Sequence, residues 1–194
     1  MRSICREFTF KGWEQREMEV WDLYDGERNP LGKKHMRGNK LRPGEFHIVA
    51  EVITLNADGR IFMTQRDPEK PLPMLWETTR GSVVAGESSL TGALRELEEE
   101  TGLLARPDEL RFLGQMKGGN YFLDSYVWRC KERIDMDALQ LQPGEVCAAQ
   151  LVNWIEFQQM NRERLIVPSV YQRMEHYFEK LASFSTYAWD GSFR

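Results

Sequence analysis

Cysteine, histidine and long apolar runs are all scarce in this 194-residue chain, and each shortage excludes something. The three cysteines, Cys5, Cys130 and Cys147, are odd in number and widely spaced with no CxxC pair. Reduced thiols are therefore expected, and neither a disulfide framework nor a cysteine zinc site. No apolar stretch approaches the roughly 18 residues of a membrane-spanning helix, and the opening MRSICREFTF has no apolar core of a signal peptide. A soluble, cytoplasmic protein without a membrane partner is expected. Basic charge is not in excess either: the net charge of −4 argues against a stable complex with nucleic acid. No internal repeat or low-complexity linker divides the chain. What is present, 41% hydrophobic residues and six tryptophans, suffices for the core of one domain.

Acid is concentrated in one place. RELEEETG, Arg95 to Gly102, puts four glutamates within five positions. On a helix turning about 100° per residue, with Glu96 at zero, Glu100 falls near 40°, Glu99 near 300° and Glu98 near 200°. Three carboxylates share a face and Glu98 does not. Leu90, Ala93, Leu94, Leu97 and Thr101 occupy roughly 60° to 160°, a stripe suited to burial. The acid face is open to two readings: a solvated surface on which Arg95 reaches Glu99 at i,i+4, or a set of oxygen ligands whose repulsion a hard divalent cation turns into attraction.

The flanks bear on that choice. GSVVAGESSLTGALRELEEETGL, Gly81 to Leu103, fits G-x5-E-x7-R-E-U-x-E-E-x-G-U, with U aliphatic. All nine specified positions match, at Gly81, Glu87, Arg95, Glu96, Leu97, Glu99, Glu100, Gly102 and Leu103. Chance would produce such a match on the order of once in a million chains or less often. The segment resembles the Nudix box, and the protein resembles a Nudix hydrolase. The local chemistry agrees: Ser88 or Ser89 can cap the helix start, and Gly102 can end it in the left-handed conformation. Gly81 and Gly86 allow a tight preceding loop. Gly92, on the acid face, leaves room for a substrate phosphate or lets helix pack closely on loop.

The resemblance implies an α+β fold, the α/β/α sandwich with a mixed β-sheet flanked by helices. The strands are legible in order. MEVWDLYD and NPLGKKHM form a small N-terminal β-hairpin around Asp25 and Gly26. FHIVAEVITL and RIFMTQ, joined through NADG, are expected to form the centre of the sheet. LRFLGQM, YFLDSYVWRC and CAAQLVNWI follow the box helix. Val170, Met174, Tyr177, Phe178 and Leu181 recur at helical spacing beyond Pro168. One domain is expected over 1–194, with an N-terminal extension and hairpin over 1–44, a core over 45–182 and a tail over 183–194.

The family resemblance also implies chemistry: Mg2+ or Mn2+ held by Glu96, Glu99 and Glu100, assisted by Glu87, with Arg95 fixing the carboxylates. The general base is Glu96 or Glu145, the latter within QPGEVCAAQLVNW; alternatively Glu145 merely begins a strand. Over residues 18–182 the chain is further similar to the Nudix branch that includes isopentenyl diphosphate isomerases. Arg80, however, stands where those isomerases carry a catalytic cysteine, and the box here is intact. His47 matches a metal-binding histidine of the isomerases, but its companion after Gly81 is missing, so a structural role competes.

Substrate contacts are expected from Arg66, Arg80 and Trp76, with Lys70 beside Arg66. Bland alternatives are a surface ion pair for the cations and core packing for Trp76. Glu51, alone in an apolar strand, faces either the site or solvent. The basic segment Gly32 to Arg42, carrying Lys33, Lys34, Arg37, Lys40 and Arg42, steers a polyanion or solvates a hairpin. The function expected is hydrolysis of the pyrophosphate bond of a nucleoside diphosphate linked to another moiety. The rivals are an isomerase-like enzyme and a catalytically silent nucleotide-binding domain. The expected partner is a small nucleotide or other diphosphate, with a homodimer left open.

Overall fold

The computed structural model describes residues 19–184, so Cys5 and most of the expected tail lie outside the described residues. The chain first makes an antiparallel hairpin of β1 (Val20–Tyr24) and β2 (Pro30–Met36). Asp25 forms its turn, accepting from the Glu27 and Asn29 amides at 2.9 and 2.8 Å. This small sheet is anchored to the body at both ends. Tyr24 exchanges backbone bonds with Phe46 at 2.8 and 2.9 Å, while Val20 O and Asp22 Oδ2 each accept at 2.7 Å from the amides of Ala85 and Gly86.

A seven-stranded mixed sheet follows. Its axis is β3 (His47–Leu55), which runs parallel to β8 (Tyr121–Arg129), and β8 pairs antiparallel with β7 (Leu110–Lys117). The other edge of β3 takes β6 (Thr79–Ser82) over Val49 to Val52. β4 (Ile61–Arg66) therefore meets β3 only at Leu55–Ile61 before turning away to pair with β5 (Trp76–Glu77) and β9 (Val146–Val152). The expected pair does stand at the centre of the sheet, but its pairing is short, because the strand leading into the box takes the rest of that edge of β3.

Alternation along β3 sends Ile48, Ala50 and Val52 to a core shared with Val83, Ala93, Leu97, Tyr126 and Trp128, under α1 (Ser89–Thr101). Ile53 and Leu55 point the other way, into a larger core covered by α2 (Trp154–Arg162), α3 (Pro168–His176) and α4 (Phe178–Phe184). A short 3-10 turn, Met136–Ala138, lies between β8 and β9. The C-terminal stripe is buried as its spacing predicts, with Val170, Met174, Tyr177 and Leu181 in the core and Phe178 half-buried against it. It is split between two helices at Tyr177. Among the described residues no helix is long and apolar enough to cross a membrane.

Glu51 resolves differently from either expectation. It faces neither solvent nor the site but lies beneath the sheet, 1% exposed. Arg173 of α3 reaches it at 2.7 Å, and the hydroxyls of Thr78 and Ser125 donate to it at 2.6 and 2.9 Å. Burial raises a carboxyl's pKa, yet Arg173 and the two hydroxyls hold this one below its usual value. Removing one partner of such a pair leaves an uncompensated buried charge. Arg173→Met is expected to cost about 3–5 kcal/mol in urea unfolding, and adding Glu51→Gln to recover part of that loss.

Candidate active site

α1 begins and ends as its sequence dictates. Ser88 Oγ accepts from the Thr91 amide at 3.1 Å, and Gly102, left-handed at φ 74°, donates its amide to Glu98 O at 2.7 Å. Leu97 and Ala93 are buried on the core side and Glu98 is exposed, as the helical wheel requires. The acid face is not a solvated surface, however. Glu96 is 5% exposed and Glu100 3%, and both line a cleft of about 440 Å³.

Arg95 organises the carboxylates. Its Nε and Nη2 donate to Glu87 at 3.0 and 3.2 Å, and its Nη1 to Glu96 at 2.9 Å and Glu99 at 3.0 Å. Nη2 also reaches Ser82 O at 3.0 Å, fastening the helix to β6. One guanidinium thus joins the loop, the strand and the helix of the box, which only a fixed fork of several donors can do. The Glu96 carboxylate lies so close to Gly81 that a Cβ there would sit 1.9 Å from its Cδ. Gly92 is taken up by packing: a Cβ would approach Val83 Cγ2 at 3.1 Å, so the room is filled by the loop.

Burial pushes the Glu96 carboxyl above its usual pKa, and Arg95 offsets this only in part. The face therefore carries more buried negative charge than its own cation neutralises. Among the described residues no three carboxylate, histidine or cysteine side chains converge as a finished metal cage, because Arg95 draws Glu87 and Glu99 to itself. That arrangement fits Mg2+, which keeps several waters and binds through one or two carboxylates together with substrate phosphates.

The rest of the cleft is lined by Val49, Arg37, Arg66, Glu69, Lys70, Pro71, Arg80, Ser82, Tyr121, Gly144 and Glu145. Arg66 donates to Glu77 at 2.6 Å and Pro71 O at 2.7 Å, so the ion-pair and pocket readings both hold for it. Glu145 lies 2.5 Å from Lys70. Arg37, from the end of the hairpin, enters the cleft while paired to Glu19 at 2.7 Å. Arg80 lines the cleft with its guanidinium making no ion pair to the described residues. Trp76 is not brought to this cleft. It packs against the helical core and lines a separate cavity with Leu151, Ile155 and Leu165.

His47 stacks on Trp21 at 4.1 Å and is 7% exposed, as a structural histidine would be. Burial lowers its pKa to about 4. Its folded value lies below the unfolded one, so the unfolded chain binds more protons as pH falls from about 6.5 to about 4. Stability is expected to fall across that window by up to about 3 kcal/mol beyond the carboxylate contribution. Comparing urea midpoints of the parent and His47→Phe across this range isolates the effect. Tyr121 was invisible to sequence reasoning. It enters the cleft because parallel pairing sets it beside His47, and nothing local signals that register.

Known proteins agree with this architecture. The NUDIX domain family matches residues 45–176. An uncharacterised Nudix hydrolase of Listeria monocytogenes is 33% identical over 155 residues, spanning 78% of this chain and 89% of its own. An RNA pyrophosphohydrolase of Novosphingobium aromaticivorans is 29% identical over 150 residues, 67% of this chain and 90% of its own. Among solved structures, a bifunctional NMN adenylyltransferase/ADP ribose pyrophosphatase from Francisella tularensis, complexed with AMP and a manganese ion, matches with a TM-score of 0.57 at 15% identity. That match covers 74% of this chain and 43% of the other. With the box intact and folded around Arg95, the chain belongs to the Nudix family of hydrolases.

Proposed function

We propose that this Nudix pyrophosphohydrolase acts on a nucleoside diphosphate linked to a second moiety, with Mg2+ or Mn2+ held by Glu96, Glu99 and Glu100 and assisted by Glu87. The observation that carries this reading is a cleft with two buried carboxylates, Glu96 and Glu100, and with Arg66, Lys70 and Arg80 among its lining cations. A metal-bound diphosphate presents the complementary charges. When bound, the metal polarises phosphoryl oxygens and lowers the pKa of an attacking water. Arg95 keeps Glu96 oriented through its fork and holds Glu99 at 3.0 Å, with the Glu99 side chain 45% exposed. Arg80 offers forked donors to phosphate oxygens. Glu96 or Glu145 accepts the proton of the water, as both line the cleft.

The stretches resembling isopentenyl diphosphate isomerases support placing the chain in that branch but not isomerisation. A guanidinium with a pKa above about 12 stays protonated and cannot shuttle a proton as a cysteine would. Hydrolysis in 18O-labelled water is expected to label a phosphate-containing product of nucleoside diphosphate sugars or dinucleotides, and isopentenyl diphosphate is expected to come back unchanged. Conversion to the allylic isomer without any label would overturn the reading.

A further inference from the structure

Lys70 is aimed into the same cleft as the carboxylates. Its Nζ lies 2.5 Å from Glu145 Oε2 and 3.7 Å from Glu77 Oε1. Lys70 is 16% exposed at its side chain and Glu145 15%, so the pair is largely withdrawn from water. Glu77 is already engaged by Arg66 at 2.6 Å, which leaves Glu145 the nearer partner of Lys70. The backbone reinforces the contact, since Asp67 N donates to Glu145 O at 3.0 Å and Lys70 N to Asp67 O at 3.0 Å. Lys70 rides on a loop in which Leu72 and Met74 both adopt left-handed conformations, φ 55° and 62°. Those conformations are costly for side chains of this size, so the loop is held in place rather than relaxed.

We infer that Lys70 is a positioning residue that serves as the resident cation of Glu145, holding that carboxylate at the cleft wall and exchanging it when the divalent metal and diphosphate enter. An ammonium is a compact point charge on a flexible stem and can be displaced by a doubly charged ion that offers its partner a stronger field. Once displaced, the same ammonium shares the cleft lining with Arg66 and Arg80 and can turn to a phosphate oxygen. Lys70 thereby opposes metal binding in the absence of substrate and favours it in its presence. This inference rests on the proposed metal-dependent function.

The test is a thermal-shift and calorimetric titration of the full chain with Mn2+ alone, no substrate present. The parent is expected to respond, and Glu96→Gln to lose most of that response; a parent without response overturns the metal-dependent function itself. With the parent responding, Lys70→Met is expected to tighten the apparent Mn2+ Kd about fivefold, the factor expected for releasing an ion pair of about 1 kcal/mol. The effect is expected to vanish when Glu145→Gln is the background. Lys70→Arg, which keeps the charge, is expected to bind Mn2+ as the parent does and serves as the folding control. Equal Mn2+ affinity in the parent and Lys70→Met, or the same gain with and without Glu145, overturns the exchange.

Discussion

Gly81→Ala is expected to lower kcat about a hundredfold or more while leaving the protein folded. The added Cβ would sit 1.9 Å from Glu96 Cδ and within 2.1 and 2.2 Å of its two oxygens, distances no side chain tolerates. Gly81 has an ordinary negative φ, and its partner across the strand pair is Ala50, so the backbone accepts alanine and the flexible end of Glu96 is what moves. Displacing a carboxylate proposed to hold the metal by about 1 Å is enough for a loss of that size. Steady-state kinetics and a melting curve on the same preparation check it. Activity within about threefold of the parent would mean that Glu96 does not work from the position it holds here.

Glu100→Gln is expected to cost a similar factor, and Glu99→Gln at least about a hundredfold, because on the proposed function each removes a charge from the metal site. Glu98→Gln, on the exposed side of α1, is expected to change kcat by less than about twofold. The three neighbours are chemically identical and differ only in angular position on the helix. Millimolar Mg2+ is expected to raise the melting temperature of the parent and of Glu98→Gln but not of Glu100→Gln. Equal losses at positions 98 and 99 would remove the angular argument.

What the sequence disclosed was local. The box helix, its Ser88 cap, its Gly102 terminus and the separation of Glu98 from Glu96 and Glu100 all follow from periodicity and capping within twenty residues. The hairpin at Asp25 and the buried stripe of the last helices follow for the same reason. What stayed hidden depends on partners distant in sequence. Glu51 finds Arg173 across 122 residues, so its strand shows a misplaced charge without its counterion. Tyr121 reaches the cleft only through the pairing of β3 with β8, which no turn connects, and Arg37 only through the docking of the hairpin on Phe46, Ala85 and Gly86. Trp76 was open to a substrate contact or to core packing, and β5 carries it to the helical core. Glu96 and Glu100 were expected on an acid face; Glu96 is covered by Gly81 of β6, and Glu100 sits where the Gln142 amide reaches its backbone carbonyl.

The parallel pairing of β3 with β8 also bears on how the chain comes into being. β3 cannot gain that partner until Arg129 has been made, and β4 cannot gain its long edge until β9, ending at Val152, is complete. The box helix is synthesised before either event, with its acids crowded and the β8 part of its core, Tyr126 and Trp128, still to be made. Parallel contacts of this sequence separation are slow to close, so during translation the four glutamates follow an almost wholly apolar β3 that has β6 and the first residue of β4, but not β8, for partners. Their like charge, a burden in the finished enzyme, is expected to disfavour association of that stretch with other chains until β8 covers the edge of β3.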